Sequence, residues 1–134
     1  MVARPPTGTD QSLTAFVLAG GGSLGVVEVG MLKALTRFGL RADLAVGSSV
    51  GAINSVFYAA DPTENGVSQL ERIWRRLRRQ DVFPVGFTGL ALGLLKRQGH
   101  LLNPAALRRL LQASLPIERL EDARVPVCVM KARS

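Results

Sequence analysis

Residues 13–39, LTAFVLAGGGSLGVVEVGMLKALTRFG, and the stretch that follows, ADLAVGSSVGAINSVFYAA (42–60), decide the fold. Both run the same way: a short apolar segment, a cluster of glycine and serine, then a run with helical spacing. LTAFVLA (13–19) is brief, apolar and closed by glycines, the pattern of a buried strand. VVEVGMLKALTRFG (26–39) predicts a helix with Val27, Met31, Ala34, Leu35 and Phe38 on its apolar face. Glu28, Lys33 and Arg37 lie off that face, and Gly39 supplies the C-terminal stop. ADLAVG (42–47) is a second buried strand. VGAINSVFYAA (50–60) is apolar nearly all round, as a helix lodged in a sheet-covering layer would be, and Asp61-Pro62 ends it.

Beyond this pair the pattern continues. A third helix over 64–79 carries Val67, Leu70, Ile73, Trp74 and Leu77 at helical spacing, with Trp74 in the core. Its other face holds Arg72, Arg75, Arg76, Arg78 and Arg79. Asn103-Pro104 reads as an N-cap followed by proline at the first helical position of PAALRRLLQASL. VPVCVM (125–130) is a third strand, with Cys128 a buried small residue in it. Strands alternating with helices predict an α/β class, a mostly parallel sheet in a three-layer α/β/α plan.

Composition narrows the classes. The 134 residues are one domain's worth of chain, 47% hydrophobic and 20% charged, which excludes disorder for most of it. Residues 1–12 lack an apolar core and read as a disordered leader rather than a signal peptide. The apolar run VFPVGFTGLALGLL (82–95) is broken by Pro84 and glycines and falls short of the roughly 20 residues a spanning helix needs. One cysteine excludes an internal disulfide, and with the lone His100 it makes no metal cluster. That usage fits a reducing compartment, so the expected location is the cytoplasm, with a peripheral place at a membrane as the sharper expectation. Net charge is +7, mostly arginine. Such a balance reflects either an arginine bias of the whole proteome or an anionic partner such as nucleic acid or a membrane surface. Aromatics at 5% leave no basic, aromatic-interleaved stripe for nucleic acid, so no nucleic-acid partner is expected.

Two glycine motifs sit at the strand–helix junctions. Gly20, Gly22 and Gly25 have G-x-G-x-x-G spacing, which alone is a weak signal. A dinucleotide site would use it to bring backbone close to a pyrophosphate, and would want an acidic residue at the end of the second strand. Asp43 stands at that strand's start, and Gly47-Ser48-Ser49 stands at its end, which argues against the nucleotide. The second motif, Gly47-Ser48-Ser49-Val50-Gly51, is G-x-S-x-G. A nucleophile elbow holds its serine in a sharp turn, so the positions two before and two after must be small. The helix that follows aims free N–H groups at charge developing in acyl transfer. Adjacent parallel strands would put both motifs at one carboxyl edge, where open α/β folds place their sites.

FVLAGGGSLGVVEVGMLKAL (16–35) followed by DLAVGSSVGAINSVFYAAD (43–61) resembles the amino-terminal part of a patatin-like phospholipase domain. The resemblance is strong over 16–61, weaker through IWRRLRRQDVFP (73–84), and returns at VPVCVM, so 13–134 is expected to be a partial domain of that kind. It implies an acyl hydrolase of phospholipids and other lipid esters, working without metal or nucleotide cofactor through a serine–aspartate dyad. Carried over, Ser49 is the nucleophile, Gly47 and Gly51 shape its elbow, and Gly20, Gly21, Gly22, Ser23, Leu24 and Gly25 form the oxyanion loop. Many members have arginine where this chain has Leu24, a subclass difference that removes a charge near the mouth of the site.

The family's aspartate lies in an Asp-Gly pair. Here Asp10, Asp43, Asp61, Asp81 and Asp122 are the aspartates, and none precedes glycine. The expectation is therefore a chain weak or inactive by itself. Loss of a catalytic base typically costs about 10⁴-fold, with residual catalysis from the oxyanion hole. The alternative is a catalytically dead lipid-surface binding module. His100 is expected at the surface rather than as a base, and Asp43 and Asp61 as boundary or capping residues. The arginine face of the third helix is either a solvated face or, with residues 83–95, a surface for anionic lipid or for packing against the rest of such a domain.

Overall fold

A computed structural model describes residues 12–21, 24–79, 109 and 112–130, the side chains of 77–79 excepted. The expected 1–12 leader (bar its last residue), Gly22 and Ser23, Asp81, the 82–95 run, His100 and the Asn103-Pro104 cap lie outside the described residues. Three strands, β1 (Ala15–Leu18), β2 (Leu44–Ser48) and β3 (Val127–Met130), form a parallel sheet in the order β1-β2-β3. Helix α1 (Leu24–Arg37) connects β1 to β2, and α2 (Val50–Ala60) and α3 (Glu64–Arg79) follow β2. This is the α/β class with the parallel sheet expected; the described residues show one helix layer of the three-layer plan. The predicted helix over 104–115 is described at 109 and 112–114, which are helical, and at Leu115, which is not.

Both connections step the same way across the sheet, so right-handed crossovers set their helices over one face. α2 lies against all three strands, and α1 and α3 pack on α2 and on each other. The strand register sorts residues accordingly. Phe16, Ala45 and Val127 form one row, with Ala45 fully buried, while Val17, Val46 and Cys128 form the next row on the other face. There Val17 is 70% exposed and Cys128 is also exposed. Cys128 is thus not the buried residue expected. Its position in the two-residue alternation of the strand turns it away from α2.

Helix termini follow their local chemistry. α1 ends in a Schellman arrangement: Gly39, at φ 74, donates to the Thr36 carbonyl, and Leu40 donates to Leu35. Asp61 caps the end of α2, its N–H on the Phe57 carbonyl. Its carboxylate also accepts the Thr63 hydroxyl at 2.7 Å, and Thr63 in turn accepts the Gly66 N–H at the start of α3. α2 buries Val50, Phe57, Tyr58, Ala59 and Ala60, and α3 buries Val67, Leu70, Ile73 and Trp74, both as their sequences predict.

The inner face of α1 is different from the one expected. Gly25, Val29 and Leu32 are buried, whereas Val27, Met31 and Phe38 are exposed, Phe38 at 83%. The helix carries two apolar stripes, and spacing alone does not rank them. The narrower one wins because Gly25 lets α1 approach α2 and α3. Lys33 also lies over α3, reaching Glu71 at 2.6 Å, and Glu71 binds Arg75 at 2.7 Å. These two cations hold the Glu71 carboxyl below the usual carboxylate range, Lys33 contributing most.

Candidate active site

The site is built where β1 and β2 end side by side. Leu18 pairs with Gly47 in the register, so the glycine loop after β1 and the turn after β2 emerge at one edge. Ser49 occupies that turn with φ 53 and ψ −123, and among the described residues it alone has positive φ without being glycine. Such backbone costs of order 1–3 kcal/mol and persists where the surroundings over-determine it. Here the surroundings are identifiable. A methyl group on Gly47 would collide with the Gly51 carbonyl and the Ser55 hydroxyl, and one on Gly51 with the Leu18 carbonyl. The spacing of G-x-S-x-G is therefore steric: both flanking positions sit against backbone.

Ser49 is the N-cap of α2, yet its side chain makes no capping hydrogen bond, and the residue is exposed. Its hydroxyl stands at the positive end of the helix dipole without being used to close the helix. Gly20 lies next to it: a methyl group there would be 2.9 Å from Ser49 Cβ and 3.6 Å from Oγ. Gly21 turns the loop, its carbonyl accepting the Leu24 N–H at 3.1 Å. Gly25 closes it against the elbow, because a methyl group there would overlap Val50 and come within 2.7 Å of the Trp74 ring. The two motifs, separate in sequence, meet as one cluster around Ser49.

The remaining candidates lie elsewhere. Asp43, at the amino end of β2, accepts the Thr14 N–H at 2.8 Å. Asp61 is at the far end of α2, roughly 18 Å along the helix axis from Ser49. Both are boundary residues, as expected. Asp122 belongs to an exposed 3-10 turn, Leu120–Asp122. An open groove of about 410 Å³ runs between α1 and α3, lined by Val26, Gly30, Lys33, Glu71 and Arg75 among others, and Ser49 is not part of it.

One residue of the region escapes sequence reasoning. Asn54, in the middle of apolar α2, is fully buried. Its amide donates to the Gly25 carbonyl at 3.0 Å and to Glu28 at 2.9 Å, and its oxygen accepts the Trp74 indole N–H at 2.8 Å. An amide side chain within an otherwise apolar helix, beside Ser55, was the available signal, since a buried amide must find partners.

A family profile described as patatin-like phospholipase matches residues 16–130. Patatin-like phospholipase domain-containing protein 6 of Homo sapiens is 34% identical over 84 residues, 63% of this chain and 6% of that protein. A lysophospholipase of Aspergillus terreus is 47% identical over 46 residues, 34% of this chain and 3% of that protein. A neuropathy target esterase of Drosophila melanogaster is 35% identical over 75 residues, 56% of this chain and 5% of that protein. The chain thus spans a few per cent of the length of these relatives. No solved structure matches it.

Proposed function

The chain belongs to the patatin-like phospholipase family, and from that premise we propose that it takes part in hydrolysis of lipid acyl esters with Ser49 as nucleophile. The observation that carries this reading is the strained, exposed Ser49 turn seated against the Gly20 loop. In the first step Ser49 Oγ forms a bond to the ester carbonyl carbon, and its proton passes to a base. The carbonyl oxygen, now an anion, is received by backbone N–H groups of the Gly20–Gly25 loop. The Leu24 N–H is already given to the Gly21 carbonyl, and the start of α2 offers further N–H groups beside Ser49. The alcohol then leaves with a proton, and water releases the fatty acid from the acyl-serine.

The family resemblance implies an aspartate of an Asp-Gly pair, and this sequence holds no such pair. We therefore expect the 134-residue chain by itself to turn over slowly, at the level an oxyanion hole sustains without its base, about 10³–10⁴ over water. The same observation favours a second reading, a lipid-surface module that keeps the elbow without the chemistry. In either case the proposed setting is the cytoplasmic side of an anionic membrane, with lipid ester as substrate or ligand. Fluorophosphonate labelling of the chain, with Ser49→Ala as control, separates the two. Labelling lost in the variant supports the hydrolase. A folded wild-type chain that takes up no label supports the module.

A further inference from the structure

We infer that Asn54 is a positioning residue: it fixes the start of α1, and with it the oxyanion loop, against the turn that carries Ser49. The inference rests on the acyl-transfer reading above for its functional meaning, and on geometry for the rest. Asn54 lies five residues after Ser49 on α2, so its backbone is rigidly related to the elbow. Its side chain spends both kinds of hydrogen bond on other elements. The amide nitrogen holds the Gly25 carbonyl and the Glu28 carboxylate, both in the first turns of α1, while the amide oxygen holds Trp74 of α3. Three helices are thereby tied at one fully buried point.

The clamp works together with a steric contact. Gly25 lies against Val50, the residue after Ser49, and against the Trp74 ring. Packing sets how close α1 approaches, and apolar contact by itself permits sliding along the helix axis. A hydrogen bond to one carbonyl and one carboxylate removes that freedom, because its geometry tolerates only a few tenths of an ångström. At the other end of the loop, Gly20 lies so near Ser49 that a methyl group on it would come within 2.9 Å of Ser49 Cβ. With both ends held, the described residues of the loop, Gly20, Gly21 and Leu24, are set relative to the Ser49 turn. Oxyanion stabilisation depends on such preset distances, and a 1 Å displacement remote from the reacting atoms can cost about 100-fold.

The test compares the full chain with Asn54→Ala, Asn54→Asp and Asn54→Asp combined with Glu28→Gln. Two readouts are taken: ¹H–¹⁵N spectra of Gly20, Gly21, Leu24 and the single indole N–H, and hydrolysis of p-nitrophenyl butyrate with Ser49→Ala as blank. Asn54→Ala is expected to shift the loop amides and the indole while sparing β1–β2 amides, and to lower kcat about 10–100-fold with KM within about 2-fold. Asn54→Asp keeps the shape and the acceptor for Trp74 but faces Gly25 and Glu28 with repulsion, so the loop amides move again. Adding Glu28→Gln restores a donor and recovers part of both signals. Loop amides unmoved in Asn54→Ala overturn the inference, as do shifts spread evenly through the sheet. Loop shifts in a protein whose Ser49 is no faster than the blank leave the positioning in place and overturn the acyl-transfer reading instead.

Discussion

At Ser49 a side chain is attached to backbone that glycine would adopt with less strain, and the strain is separable from the hydroxyl by substitution. Ser49→Ala and Ser49→Gly both remove Oγ, but alanine keeps a Cβ at φ 53 and glycine does not. Ser49→Gly is therefore expected to be more stable than Ser49→Ala by about 1 kcal/mol in urea denaturation. Equal midpoints would mean that the turn stores no strain. The flanking glycines act in the opposite sense. Gly51→Ala would drive a methyl group into the Leu18 carbonyl, and a cost of about 2 kcal/mol or more is expected in the same assay. The elbow is legible residue by residue in the sequence, since G-x-S-x-G states its own steric requirement. Asn54 was not, because its partners Gly25, Glu28 and Trp74 come from two other helices.

Helix α1 is where periodicity misleads. Its residues offer two apolar stripes, and the one containing Val27, Met31 and Phe38 faces outward in the described structure. Leu32→Ala is expected to cost about 2–5 kcal/mol, whereas Phe38→Ala should fall within about 0.5 kcal/mol, both by denaturant titration. The reverse ranking would restore the stripe expected from spacing. The same helix is tied to α3 through Lys33, Glu71 and Arg75. Because the Glu71 carboxyl is held below its ordinary range, its contribution is present above the unfolded-state value and is lost as pH falls through the lower folded one. The stability gap between wild type and Glu71→Gln should thus be open at neutral pH and close toward pH 3. Its size stays within about 1 kcal/mol, since the pair is partly solvated. A gap that widens on acidification would contradict this assignment.

On the scale of the molecule, charge and exposed apolar surface point the same way. The net charge is +7, Arg72, Arg75 and Arg76 are exposed on α3, and Val27, Met31 and Phe38 are exposed on the outward stripe of α1. Sedimentation with anionic phospholipid vesicles is expected to capture the chain, with binding that weakens as salt rises past about 0.15 M. Neutral vesicles binding equally well would sink the electrostatic part of the proposal. No helix among the described residues is long and apolar enough to cross a membrane.

The sequence by itself determined what depends on near neighbours. Strand–glycine–helix order, the caps at Gly39 and Asp61, the buried faces of α2 and α3, and the place of Ser49 all follow from local spacing and residue type. What only the tertiary structure decided depends on contacts between elements: which stripe of α1 turns inward, which face of β3 holds Cys128, and how Asn54 joins three helices. Periodicity states that a face is apolar, and a motif states that a turn is tight. Neither says which neighbour arrives, because that is settled by close approach at Gly25 and by hydrogen bonds between residues some twenty or more positions apart in the chain.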